Sequence, residues 1–318
     1  MIDIILFHLN QPWIRFIKTI YLNFKLLPWN IAVKLPIYLY GPVNLYWLKG
    51  KIEIKSNKIY RGMIKLGRNY EYFNGSDGSS FIYMSPKSTI IFNGPCAIGN
   101  NYKIRVETNA ILEFGEYTFF GSSIKFICTD KIKIGHYTRC AYESQIIDTN
   151  SHFVYNEKNN KVARKKGSIE IGDFNWIGNR TTITKGTKTK EGTIVCANST
   201  LNKDFTKLEE NHQMLGGIPA KLITSGLKRI FSTKIDKQIE QYFSSNKDEE
   251  FYTIKTPFID NYNDSNIEKG IRNFTNTIGA DLIGLCTHGR TGLSHFFNGS
   301  IGEDLVNHST KPVITFKI

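Results

Sequence analysis

The chain has 318 residues, a formal net charge of +13 and an isoelectric point near 9.3. A hydrophobic content of 41%, with 13% aromatic residues, excludes an intrinsically disordered chain and supports a packed core. The cation excess points to an anionic partner such as a phosphorylated cofactor, an acidic glycan or a membrane surface. Cys96, Cys128, Cys140, Cys196 and Cys286 show neither CxxC nor Cys/His ligand spacing, so free thiols in a reducing cytosol are expected. No stretch reaches the roughly 18–20 apolar residues of a membrane span. The start of the chain has no basic region followed by a small-residue cleavage site. A cytoplasmic location, at most peripheral to a membrane, is the expectation.

Residues 1–50 are aromatic and aliphatic, with Arg15, Lys18, Lys25, Lys34 and Lys49 interspersed and Asp3 the sole acid. Two readings compete. One is a helical cap over the open end of a sheet structure, whose terminal strand would otherwise expose unpaired backbone. The other is a peripheral membrane contact, with the cations on anionic lipid. From residue 51 the chain becomes strand-rich. Phe92, Ile98 and Ile104 are six apart, as are Phe114, Phe120, Phe126 and Ile132, and then, after a two-residue slip, Ile134, Cys140 and Ile146. Residues 147–168 are polar and basic and break this period, as a loop thrown out of a repeat would; long loops in compact domains are commonly functional.

The period then returns in its cleanest form. Ile171, Ile177, Ile183, Thr189, Val195 and Leu201 recur every six residues, with Gly172 and Gly178 after the first two. A helix repeats at 3.6 residues and a strand at 2, so neither explains six. A parallel β-helix does: each six-residue unit makes a short strand and a corner, and three units close a triangular coil. The rung residues point inward and stack about 4.8 Å apart. Residues 226–248 follow with Ile230, Ile235, Ile239, Tyr242 and Phe243 near one helical face, a second cap or a subunit brace.

The expected architecture is mainly β: an N-terminal capping segment (1–50), a β-helix (51–225), a helix or linker (226–250) and a small α/β tail (251–318). In the tail an apolar strand precedes a Gly-rich loop, a helix and a final strand. It resembles the C-terminal half of universal stress proteins, whose phosphate pattern is matched by Gly289, Gly299 and Ser300. Cys286 stands where that pattern has its first glycine, and the preceding half of the fold has no room after residue 250. Both departures speak against ATP binding by the tail.

The runs WIGNRTTITKG, VCANSTLNKDF and GGIPAKL resemble the C-terminal part of hexapeptide-repeat acyltransferases, over roughly residues 1–248. That resemblance implies a left-handed parallel β-helix and acetyl transfer from acetyl-CoA to a sugar hydroxyl or amine. It also implies a homotrimer with the cosubstrate in a groove between subunits, a sugar or glycan acceptor and no nucleic-acid partner. A sugar hydroxyl is a poor nucleophile and needs a general base, for which histidine is suited. In IIDTNSHFV, His152 matches the family's catalytic base. Asp148 would either orient its ring, as a triad carboxylate does, or merely fix a turn. Asn150 stands where the family commonly has aspartate and would touch the acceptor. Trp176 matches the residue beside the thioester arm, and Asn179 and Ala197 match positions that bond the pantetheine. Asn202 and Lys203 match the pair farther along the groove, and Lys221 a basic position near the nucleotide phosphates. Thr224 falls where some members have arginine.

Alternatives are N-acetylation of an amino-sugar nucleotide and a nucleotide-binding stress-type protein with a scaffold β-helix. A zinc enzyme on the same architecture needs three clustered histidines. His136, His152 and His212 stand alone at other spacings, so no metal is expected.

Overall fold

The computed structural model describes residues 13–70, 78–230, 239–241 and 243–245, together with the backbone of strands 283–287 and 313–317. The chain divides into two compact units, Met1–Arg229 and Ile230–Ile318.

The first unit is a three-sided parallel β-helix. Strands of successive coils pair in parallel on each side. Face 1 begins with Ile37–Leu39 and Ile64–Leu66 and runs through Arg139–Cys140, Trp176–Ile177 and Ile194–Val195 to Met214–Gly217. Face 2 runs from Val43–Tyr46 through Lys103–Val106, Lys125–Cys128 and Gln145–Ile147 to Thr200–Leu201. Face 3 runs from Lys51–Ile54 through Thr89–Phe92, Ile111–Phe114 and Lys131–Ile134 to Ile169–Ile171. Isolated bridges at Lys188 and Asp204 extend it.

The six-residue ladder maps onto these faces in rotation. Ile171 lies on face 3, Ile177 on face 1 and Ile183 on face 2; Thr189, Val195 and Leu201 repeat the circuit one coil on. All six are buried. Registers such as Ile98↔Phe120↔Cys140↔Ile177↔Val195↔Leu215 stack the rungs of face 1. The slip near residue 132 has a simple cause. Strand Lys131–Ile134 turns both Ile132 and Ile134 inward, so one strand supplies two rungs.

The coil starts earlier than expected. Ile37–Leu39 and Val43–Tyr46 are already strands of faces 1 and 2, so the boundary drawn at residue 51 falls inside the first coil. The apolar run read wholly as a cap is partly a first coil. The cap itself is helix α1 (Phe16–Leu26). It buries Thr19, Leu22, Asn23 and Leu26. The hydroxyl of Thr19 accepts from Leu39 N–H (3.1 Å), Asn23 Oδ1 accepts from Ile37 N–H (3.2 Å), and Asn23 Nδ2 donates to Ile37 O (2.8 Å). These bonds satisfy the open edge of face 1, the strand edge most prone to unwanted pairing. At the other end Ala220–Thr224 pairs antiparallel to Met214–Gly217 and closes face 1.

In the second unit, Ile283–Thr287 and Val313–Lys317 pair in parallel. These are the apolar and final strands expected in the tail. Gly289, Gly299 and Ser300 lie outside the described residues; of the helix expected at 226–248, residues 226–230 are not helical, residues 239–241 and 243–245 are, and the rest lies outside the described residues.

Candidate active site

After Gln145–Ile147 the chain should turn onto face 3. It leaves the coil instead at Asp148 and returns at Ile169. The foot of this loop is tightly bonded. Asp148 is fully buried: its Oδ1 accepts from Thr129 N–H (2.7 Å) and the Thr129 hydroxyl (2.8 Å), and its Oδ2 from Asp130 N–H (2.8 Å). Gly167 N–H donates to Asp148 O (3.0 Å), Asn150 N–H to Lys165 O (3.0 Å), and Lys166 Nζ to Thr129 O (2.6 Å). Beyond the foot, Val154–Asn156 and Lys161–Ala163 form an exposed antiparallel ribbon carrying Lys158, Lys161 and Arg164.

His152 stands on this foot. Ser151 before it is left-handed (φ 62°), a conformation costing about 1 kcal/mol or more that holds the turn tight. The His152 amide donates to Asn150 O (2.7 Å), and its exposed ring has no hydrogen-bond or ion-pair partner among the described residues. Asn150 is also exposed. Of the two roles open to Asp148, the bonds present are those of a corner clamp. Both its oxygens serve the preceding coil, and no hydrogen bond joins it to the His152 ring. Burial, and then the Asp148 charge, push the Cys128 thiol far above the ordinary range.

The other expected residues lie elsewhere on the same coils. Trp176 points outward from face 1, 44% exposed, with the Arg229 guanidinium 5.4 Å from its ring centroid. Asn175, buried beside it, fixes the corner. Its Nδ2 donates to Asp173 O (3.0 Å) and Lys190 O (2.8 Å), and its Oδ1 accepts from the Thr189 hydroxyl (2.7 Å). Neither Arg229 nor the anchoring work of Asn175 shows in the repeat spacing. Asn179 and Ala197 occupy consecutive turns of the corner between faces 1 and 2, where Asn198 N–H donates to Asn179 O (2.9 Å). A Cβ on Gly178 would lie 2.5 Å from Ala197 N, so only glycine lets these turns stack. Asn202 and Lys203 are exposed on the corner between faces 2 and 3, two coils beyond the loop, with Lys203 Nζ 5.3 Å from the Phe205 ring centroid. Lys221 is exposed on the closing strand of face 1.

In a triangular section, face 1 lies opposite the corner between faces 2 and 3. His152, Asn150, Asn202 and Lys203 therefore line one edge. Trp176 and Lys221 face away from it across a core filled by Ile146, Ile171 and Ile177. A single chain does not bring the imidazole to the indole. No metal-binding cluster of histidine, cysteine, aspartate or glutamate occurs among the described residues.

Residues 263–317 match the universal stress protein family model. No curated protein matches the chain. Among solved structures, the chain is similar to the polySia-specific acetyltransferase NeuO, at 19% identity over 66% of this chain and 99% of that one, TM-score 0.40. It is similar to the polysialic acid O-acetyltransferase OatWY at 21% identity over 65% and 85%, TM-score 0.32. A third is a variant of AntD, an N-acyltransferase from Bacillus cereus in complex with dTDP-4-amino-4,6-dideoxyglucose and coenzyme A. It shares 13% identity over 66% and 89%, TM-score 0.34.

Proposed function

We propose that this chain is an acetyl-CoA-dependent O-acetyltransferase of a sugar or polysaccharide precursor, working in the cytoplasm as a homotrimer. The observation that carries the reading is the break in the ladder. An exposed imidazole with no hydrogen-bond or ion-pair partner among the described residues stands on a clamped, basic loop foot, in the segment whose residues resemble the family's base motif. In this reading His152 accepts the proton of the acceptor hydroxyl as its oxygen attacks the thioester carbonyl. The tetrahedral intermediate collapses to the ester, and the departing sulfur takes up the proton that His152 gives back. Backbone and side-chain donors around the carbonyl oxygen would stabilise its negative charge.

The cosubstrate suits the outer surface. Trp176 and Ala197 offer an apolar wall and a small side chain for the pantetheine arm, and Lys203 and Lys221 are exposed cations for phosphates. Flat faces favour side-by-side threefold packing. Such packing sets the loop edge of one copy against face 1 of the next, which is how an imidazole and an indole on opposite sides of one chain would share a site.

The test is thiol release from acetyl-CoA against a panel of sugar hydroxyl and amino-sugar acceptors. Wild type should turn over a hydroxyl acceptor. His152→Ala should lose about 10²–10⁴-fold in turnover while still binding CoA, and Trp176→Ala should weaken donor binding. Mixed assemblies of the two impaired variants should regain activity, because one intact shared site re-forms. Equal turnover by wild type and His152→Ala removes the mechanism. Transfer confined to amines redirects it to N-acetylation.

A further inference from the structure

Helix α1 is amphipathic the wrong way round. The stripe it turns to the core is half polar: Thr19, Leu22, Asn23 and Leu26, at helical spacing. The stripe it turns outward is apolar: Phe16 (68% exposed), Ile17 (85%), Ile20, Tyr21 and Phe24, continued by Trp13 (77%) before the helix. Trp29 (73%) extends it beyond the helix, its ring 5.0 Å from Phe24 and edge-on. The inward face is dictated by the edge-capping bonds of Thr19 and Asn23 to Ile37 and Leu39, so the helix cannot roll its apolar side inward without opening face 1. A contiguous patch of this kind on a monomer surface marks an interaction site.

The charges around the patch choose the partner. Residues 13–50 contain Arg15, Lys18, Lys25, Lys34 and Lys49 and no acid. Lys25 lies one turn beyond Tyr21 at the border of the stripe, and Lys18 one turn before it, its Nζ donating to Val43 O. A symmetric contact with a second copy would set this basic patch against itself. An anionic lipid surface takes both components at once, with aromatic and aliphatic side chains entering the headgroup boundary and the cations meeting phosphate. With 11 residues α1 is too short to cross a bilayer, and no described helix is long and apolar enough to do so. It would lie in the plane.

We infer that the outward face of α1, from Trp13 to Trp29, docks the β-helix on an anionic membrane surface. The inference is independent of the acyl-transfer reading. The full chain would be sedimented with unilamellar vesicles of phosphatidylcholine, alone or with about one-third phosphatidylglycerol. Wild type should pellet with the anionic vesicles, less so as salt is raised, and the tryptophan emission should shift to the blue. The double substitution Phe16→Glu, Ile17→Glu changes two exposed residues. It should keep the thermal unfolding midpoint and lose about tenfold or more in partitioning. Wild type remaining in the supernatant, or a double variant that binds as well, overturns the inference. Equal binding to phosphatidylcholine alone overturns the choice of an anionic surface. A wild-type oligomer that shrinks in the double variant without lipid assigns the face to a second copy instead.

Discussion

The coils from Phe92 to Ile134 and those from Ile171 to Leu201 build the same triangular section from different side chains. In the first set, strands such as Thr89–Phe92 and Ile111–Phe114 each turn two residues inward, and phenyl rings fill the section. Phe114 sits 5.2 Å from Phe92, 5.5 Å from Phe120 and 5.2 Å from Phe126, between ring centroids. In the second set the rungs are aliphatic residues or threonine, and buried hydroxyls tie the corners: Thr181 to Gly178 O (2.8 Å), Thr187 to Thr184 O (2.7 Å), Thr193 to Lys190 O (2.8 Å). The first set is filled by stacked and edge-on rings; the second is filled by aliphatic rungs and threonine. One outer corner, between faces 1 and 2, is shared by both sets. Tyr142, Asn179 and Ala197 fall in line, joined by Arg180 N–H to Tyr142 O (3.0 Å) and Asn198 N–H to Asn179 O. At this corner Glu143, Arg180 and Asn198 are all left-handed. The same corner runs back into the ring-filled coils, where Glu143 N–H donates to Ser122 O and Ser123 N–H to Asn100 O (2.8 Å each), so both sets share a straight outer edge that suits the extended cosubstrate proposed above.

If the ring-filled coils depend on ring packing, the largest loss should come from their centre. Phe114 is fully buried and touches three other rings. Phe114→Ala leaves a cavity that the surrounding strands, pinned by their ladders, cannot close, and should cost about 3–5 kcal/mol. Denaturant unfolding followed by circular dichroism measures it. A cost under about 1 kcal/mol would mean that the strand ladders, not the rings, hold this half.

Between the two sets lies Asp148, and its substitution separates two roles. In Asp148→Asn the amide can keep the Thr129 bonds but sets its NH₂ against Asp130 N–H, donor to donor, in a buried site. The expected cost is about 2–3 kcal/mol of stability, with a modest drop in any turnover as the loop foot loosens. A carboxylate that set the His152 tautomer would give the opposite pattern, large loss of turnover at unchanged stability.

The two halves were also unequally legible in the sequence. The Ile171–Leu201 ladder could be read directly, because the strands after Ile169–Ile171 each bury a single rung and leave the period unbroken. In the ring-filled coils two inward residues per strand shift the phase, so the period is visible only in pieces. The first coil was hidden altogether: Ile37–Leu39 is covered by α1 and reads as one apolar run with it. At the candidate site the loop was legible from the break in the repeat, and His152 was singled out by the resemblance of IIDTNSHFV to a family motif. Arg229 and the partners of Asp148, Thr129 and Asp130, were not, because both depend on which corner meets which across coils, a relation that sequence spacing does not encode.

The hydroxyl ladder of the uniform coils invites the finest test. Thr187 is fully buried, and its hydroxyl lies 2.7 Å from Thr184 O and 3.0 Å from Leu201 O, linking one coil to the next. Valine has the same shape without the oxygen. Both carbonyls keep another donor in Thr187→Val: Thr184 O accepts from the backbone N–H of residue 187, and Leu201 O from the Thr184 hydroxyl (3.0 Å). No polar group is therefore orphaned, and the cost should be only the net value of one bond, about 1 kcal/mol, or roughly 2–4 °C in the unfolding midpoint for a unit of this size. A midpoint that does not move would leave the aliphatic rungs as the whole source of stability in this half. A shift several times larger would mean that the hydroxyls act together along the corner between faces 2 and 3, which is then held by hydrogen bonding rather than by rung shape.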